Sequence, residues 1–185
     1  MHIIVGDIVA AKADAIVVPT HSDLKPIPGI RQAVFDAADT RQLTQACRKI
    51  GRCPIGRAVL TPSFGLPCRY IIHVAGPGWY SGHRSDRLLF ADCCLHALHK
   101  ACACHCRSVA LPLMFSGACH LPRAQALRIV FQVADHFEAV HPDLHIVLVL
   151  YKDSIFRLAR KIRSGQSAPA CEGEKKSCVP GPDMV

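Results

Sequence analysis

A chain of 185 residues is long enough for one domain with a real core. Half of its residues are hydrophobic and 19% are charged, which excludes an intrinsically disordered chain. The formal net charge of +8 favours an anionic partner, whether nucleotide, nucleic acid or only counter-ions, and by itself selects none of them.

The first strand pattern covers 2–5 and ends at Gly6-Asp7-Ile8. It starts the chain with no signal peptide before it, and no apolar run reaches spanning length, so a cytoplasmic protein is expected. A second strand, 15–18, is closed by Pro19. The loop from His21 to Pro28 is stiffened by Pro26 and Pro28. Gly29 opens a helix in which Ile30, Ala33, Val34, Ala37 and Ala38 fall at helical spacing. It runs to about residue 50 with a break near Asp39-Thr40. A strand over 58–61 follows.

The run 70–74 reads as a buried strand, stopped by Ala75-Gly76-Pro77-Gly78. Trp79 and Tyr80 come next, so this stretch is expected to form one wall of a pocket. A helix is expected over 87–104, a strand over 109–111, a helix from Pro122 to about 140, and a strongly apolar strand over 145–151. Asp153 or Ser154 caps a last helix to about 163. From 164 to 185 Gly, Ser, Pro and Lys dominate, and a disordered tail is expected after a domain spanning 1–163. Strands alternating with helices predict an α/β domain with a largely parallel sheet.

Eleven cysteines, an odd number placed mostly on helices, read as reduced thiols and not as a disulfide framework. Cys93, Cys94, His96, His99, Cys102, Cys104, His105 and Cys106 crowd one helix and its end. One continuous helix does not converge four ligands, so packing is the preferred reading over zinc. No metal or other cofactor is expected. The basic run Arg157, Arg160, Lys161, Arg163 suits a helix C-terminus. It lacks the interleaved aromatics of a nucleic-acid site, and no nucleic-acid partner is expected.

The order Gly6-Asp7-Ile8, Ala13-Asp14-Ala15-Ile16-Val17, Gly29-Ile30 with Ala37-Ala38, Tyr70 to Pro77 and Ser108 to Pro122 resembles that of a macro domain, from about residue 2 to 163. The resemblance implies a three-layer α/β/α sandwich around a mixed, mostly parallel sheet of about six strands. It also implies binding of ADP-ribose, free or on a protein; a monomer is expected. Asp7 then matches the aspartate that accepts from the adenine amino group, with the backbone of Ile8 beside it. Ser116-Gly117-Ala118-Cys119-His120 matches the loop whose amides cradle the diphosphate, and Tyr151 the aromatic near the adenosine.

The departures lie in the other half. Asn-Ala-Ala-Asn of active members is here Val18-Pro19-Thr20-His21, so His21 replaces the asparagine that orients the distal ribose. Of the glycine run, only Gly29 remains. Arg31 stands where deacetylase-like members carry an aspartate, and His120 replaces the loop's second glycine. Asp23 and Asp36 are the nearest carboxylates, and nothing in their spacing singles them out. Arg31 and Lys25 are either solvated charges or partners for a diphosphate. Cys119 is the one thiol an anion-binding loop would activate. His73 reads as a packed core histidine.

The expectation is therefore a binding module with weak or no turnover. A divergent ADP-ribosyl or O-acetyl-ADP-ribose hydrolase using His21 is the alternative. A macro fold whose cleft is blocked by Pro28 and His120 is the third option.

Overall fold

The computed structural model describes residues 1–76, 84–116 and 121–165. The expected tail from 166 onward, Trp79, Tyr80 and residues 117–120 lie outside the described residues. The elements are β1 (His2–Val5), β2 (Ala15–Thr20), α1 (Ile30–Ala37), α2 (Thr40–Ile50), β3 (Ala58–Pro62), β4 (Tyr70–Ala75), α3 (Arg84–Ala103), β5 (Ser108–Pro112), α4 (Arg123–Val140), β6 (His145–Leu150) and α5 (Asp153–Arg163). The six strands form one sheet in the order β1-β6-β5-β2-β4-β3. Every neighbouring pair is parallel except β3 with β4.

Strand alternation divides the apolar residues between two cores. Ala15 and Val17 of β2 face α3 and α4, together with Ile72, Val74, Val109, Leu111, Ile146 and Leu148. Ile16 and Val18 face α1 and α2, together with Ile71, Ala110 and Val149. The sheet is thus covered on both faces, which is why its strands read as continuous apolar runs.

Two of the expected element ends are corrected by the structure. Pro19 does not close β2; it pairs in register with Val74 and the strand continues to Thr20. On the other side of β2 the register with β5 covers only Ala15 and Ile16. A proline without an N–H is tolerated where the strand has a neighbour on one side only. The last helix is preceded by Lys152, whose side chain makes no cap bond, so neither Asp153 nor Ser154 caps it. Asp39 does cap α2, accepting from the Gln42 amide at 2.9 Å, and this is the physical cause of the expected break.

Opposite the strands' carboxyl ends, Asp14 ties three strands together. Its carboxylate accepts from the amides of Arg107 (2.8 Å) and Ser108 (3.0 Å), and its carbonyl accepts from the amides of Arg69 and Tyr70. The Arg107 bond is the main cause that holds the Asp14 carboxyl below the ordinary value of 3.8. Asp14→Ala is therefore expected to lower stability by about 1–3 kcal/mol in urea unfolding. Because the folded pKa is depressed, the difference from wild type is full above pH 3.8 and closes as pH falls below it.

Candidate functional site: a cleft across four strand ends

A cleft of about 500 Å³ lies at the carboxyl ends of β1, β6, β5 and β2. Its walls include Gly6, Asp7 and Ile8 after β1, and Leu150, Tyr151 and Lys152 at the end of β6. Leu113, Phe115 and Ser116 follow β5, and Thr20 and His21 close β2. These four strands are consecutive in the sheet, so three strand spacings of about 4.8 Å separate the Asp7 end from the His21 end by roughly 14 Å. The cleft is long, and its ends have different chemistry.

Asp7 is the only carboxylate among the described lining residues, while Arg31, Arg123 and Lys152 bring positive charge. Asp7 also caps the short 3-10 turn Ile8–Ala10, its Oδ1 accepting from the Val9 amide at 3.1 Å. Tyr151 is 76% exposed and forms part of the rim. Three helices begin at the cleft: α1 at Gly29 and Ile30, α4 at Arg123, and α5 after Lys152. Unpaired amides and the positive end of each helix dipole make such starts favourable places for anions.

The His21 end is built around Arg31. The residue is 1% exposed. Its Nε donates to the Lys25 carbonyl at 2.7 Å and its Nη2 donates to the Leu24 carbonyl. Its Nη1 donates to His73 Nδ1 at 3.0 Å, and the guanidinium lies 4.8 Å from the Phe35 ring centroid. Arginine can only donate, so His73 Nδ1 is an acceptor and the Nε2–H donates to Thr61 Oγ1 at 3.0 Å. Burial first, then the Arg31 charge, push the His73 imidazole down to about 3. Leu24, buried and with a positive φ of 58°, plugs the loop from beneath.

The Macro domain family model matches residues 17–130. This chain is a macro domain. The O-acetyl-ADP-ribose deacetylase of Escherichia fergusonii is 33% identical to it over 172 residues, covering 90% of this chain and 96% of that protein. A macro domain-containing protein of Lactiplantibacillus plantarum is 37% identical over 120 residues, 65% of this chain and 69% of its own. Among solved structures, the Oceanobacillus iheyensis macrodomain with ADP superposes with a TM-score of 0.83 at 25% identity, covering 88% of this chain and 89% of that one.

In this macro domain Asp7, Ile8, His21, Gly29, Ser116 and Tyr151 all line the one cleft. Gly117, Ala118, Cys119 and His120, expected as the phosphate loop, lie outside the described residues. Gly29 is fixed by its backbone (φ 102°, ψ −147°), with open space where a Cβ would stand. Pro28 is part of the wall and does not fill the cleft. Neither the described end of β4 nor Gly76 reaches the cleft. Gly76 instead lies against Phe115, whose ring a Cβ would meet at 2.0 Å, and Phe115 is itself a lining residue.

Arg31 is neither a solvated charge nor a fork left open for a diphosphate, because its nitrogens are committed to protein acceptors. Asp36 accepts from Gln32 on the exposed side of α1 and Asp23 accepts from the Lys25 amide, and neither is among the described residues that line the cleft. Arg123 and Lys152, each exposed at a helix start, were not singled out from the sequence. The pattern of a cation within one residue of a predicted helix start after an apolar strand could have pointed to Lys152.

The cysteine-rich helix is packed. Cys93 and Cys94 are buried beneath the sheet, and burial pushes the Cys94 thiol up to about 12. His96 Nδ1 donates to the Asp92 carbonyl and Nε2 accepts from Arg57, while His99 lies against Phe137 and His141. Among the described residues, no group of three or more His, Cys, Asp or Glu converges to hold a metal ion.

The His73 geometry carries a pH signature. The folded state holds this imidazole neutral to about pH 3, whereas the unfolded chain takes up the proton near 6.5. The resulting stability is complete above 6.5 and is lost as pH falls toward 3. Urea unfolding at a series of pH values is expected to show a steeper loss over that window for wild type than for His73→Gln.

Proposed function

We propose that this macro domain binds ADP-ribose, free or attached to protein, along the whole cleft and turns it over weakly or not at all. The observation that carries the reading is the polarity of a long cleft. Among the described lining residues, one end holds the single carboxylate, the middle gathers helix starts with Arg123 and Lys152, and the far end holds no acid. An adenine amino group is a donor and suits Asp7, and the exposed face of Tyr151 suits the flat base beside it. A diphosphate suits the helix starts and the two cations, with the amides of 116–120 as further donors. The distal ribose then falls between His21 and Gly29.

Hydrolysis needs a group to position or deprotonate water at the distal ribose. The one carboxylate among the described lining residues is about 14 Å from that end, three strand spacings away, and the position after Gly29-Ile30 is occupied by a guanidinium whose three nitrogens each already donate to a protein acceptor. The names of the deacetylase relatives favour a second reading, in which His21 serves as the base.

Calorimetric titration with ADP-ribose, ADP and AMP tests the first reading. ADP-ribose is expected to bind more tightly than AMP, and Asp7→Ala is expected to weaken binding by about 1–3 kcal/mol. Unchanged affinity in that variant contradicts the assignment of Asp7. Release of acetate from O-acetyl-ADP-ribose separates the two readings: the first predicts no faster release with wild type than with His21→Ala, and a clear loss in the variant would support the second.

A further inference from the structure

We propose that Arg31 is a positioning residue: it holds the loop 21–28 in its ligand-ready shape and thereby sets how strongly the cleft prefers a ligand long enough to reach the β2 end. The selectivity half of this proposal rests on the ADP-ribose reading above, while the anchoring half does not.

The argument starts from the loop. Pro19, Pro26 and Pro28 fix their own φ angles, but the six residues from Thr20 to Lys25 have no such restraint. Among them His21, Asp23 and Lys25 are exposed. A surface segment of this kind is ordinarily mobile. Here its last two carbonyls, of Leu24 and Lys25, both accept from one guanidinium that comes seven and six residues later, at the start of α1. The guanidinium is held in turn by His73 on β4, and His73 by Thr61 on β3. A chain of hydrogen bonds thus runs from the edge strand through the sheet to the loop.

The anchor is strong because it is costly to break. No carboxylate lies within ion-pair distance of Arg31 among the described residues. Its buried charge is therefore stabilised by the two carbonyls, the imidazole nitrogen and the Phe35 ring, with Cys47 Sγ at 3.8 Å. Loss of the loop conformation would leave that charge without its acceptors. The reverse also holds: loss of Arg31 leaves two loop carbonyls and His73 Nδ1 without donors. A wall fixed before the ligand arrives does not have to be ordered on binding, which raises affinity for ligands that touch it. His21, Ile27, Pro28 and Gly29 form that wall. A ligand confined to the Asp7 end does not reach it.

The test combines hydrogen exchange with paired titrations of the full chain. In Arg31→Met, amide exchange over residues 21–25 is expected to speed up at least tenfold, most clearly at Leu24, whose N–H is bonded to the His21 carbonyl. ADP-ribose affinity is expected to fall at least tenfold while AMP affinity stays within twofold. The His73 side chain is expected to change its nitrogen-15 NMR signature, because Nδ1 loses its donor. If Arg31→Met does not fold, Arg31→Lys keeps the charge but cannot reach all three acceptors, and it should show the same pattern at smaller amplitude. Unchanged exchange overturns the anchoring role. Loss of ADP-ribose and AMP affinity by the same factor overturns the selectivity role, since it would mark a general loss of structure. Wild type that binds neither nucleotide contradicts the ADP-ribose reading and with it the selectivity role, while faster loop exchange in the variant would still support the anchor.

Discussion

Parallel strands put their carboxyl ends on one side of a sheet, and the rest of this molecule follows from that constraint. A parallel connection usually crosses over through a helix, so a strand end is followed by a loop and the crossover helix starts near it. Four consecutive parallel strands, β1, β6, β5 and β2, therefore line up four loops and three helix starts along one cleft. The antiparallel pair β3 and β4 takes no direct part in the lining, and its described residues act only through His73, Thr61 and the Gly76–Phe115 contact. The opposite ends of the strands are tied by Asp14, which leaves the cleft side free for function.

The second organising feature is the buried guanidinium. A charged side chain at 1% exposure is rare without an opposite charge. Arg31 manages it by meeting carbonyl dipoles and a neutral imidazole whose tautomer it dictates. The same contact lowers the affinity of His73 for a proton, so the network keeps one positive charge and not two. This makes the His21 end of the cleft a built structure with no acid among its described lining residues. The Asp7 end keeps the simpler arrangement of one carboxylate on a 3-10 turn.

Much of this was legible in the residues. β4 could be read because Ile71, Ile72 and Val74 are apolar and β-branched and Gly76 breaks the run. The two-helix break was legible in Asp39, a residue type that competes for the backbone at a helix start. Asp7, Gly29 and Tyr151 each follow or precede an element whose end was visible. Pro19 misled because the cost of a missing N–H depends on whether a neighbouring strand is there to receive it, and neighbours are a tertiary fact. Arg31 misled for a similar reason. Its burial is decided by carbonyls of Leu24 and Lys25 and by His73, 42 positions away, and no local pattern announces that meeting. Phe115 was missed as a lining residue because its place depends on Gly76, just past the end of β4, which lets the ring come close.

The measurement that most directly tests the account is backbone NMR mapping of the isotope-labelled protein with ADP-ribose and, separately, AMP. The account predicts that ADP-ribose perturbs both ends of the cleft, Asp7, Ile8 and Tyr151 together with His21 and Gly29, while AMP perturbs the Asp7 end alone. Perturbations confined to residues away from the ends of β1, β6, β5 and β2, or the same set of residues for both ligands, would contradict it.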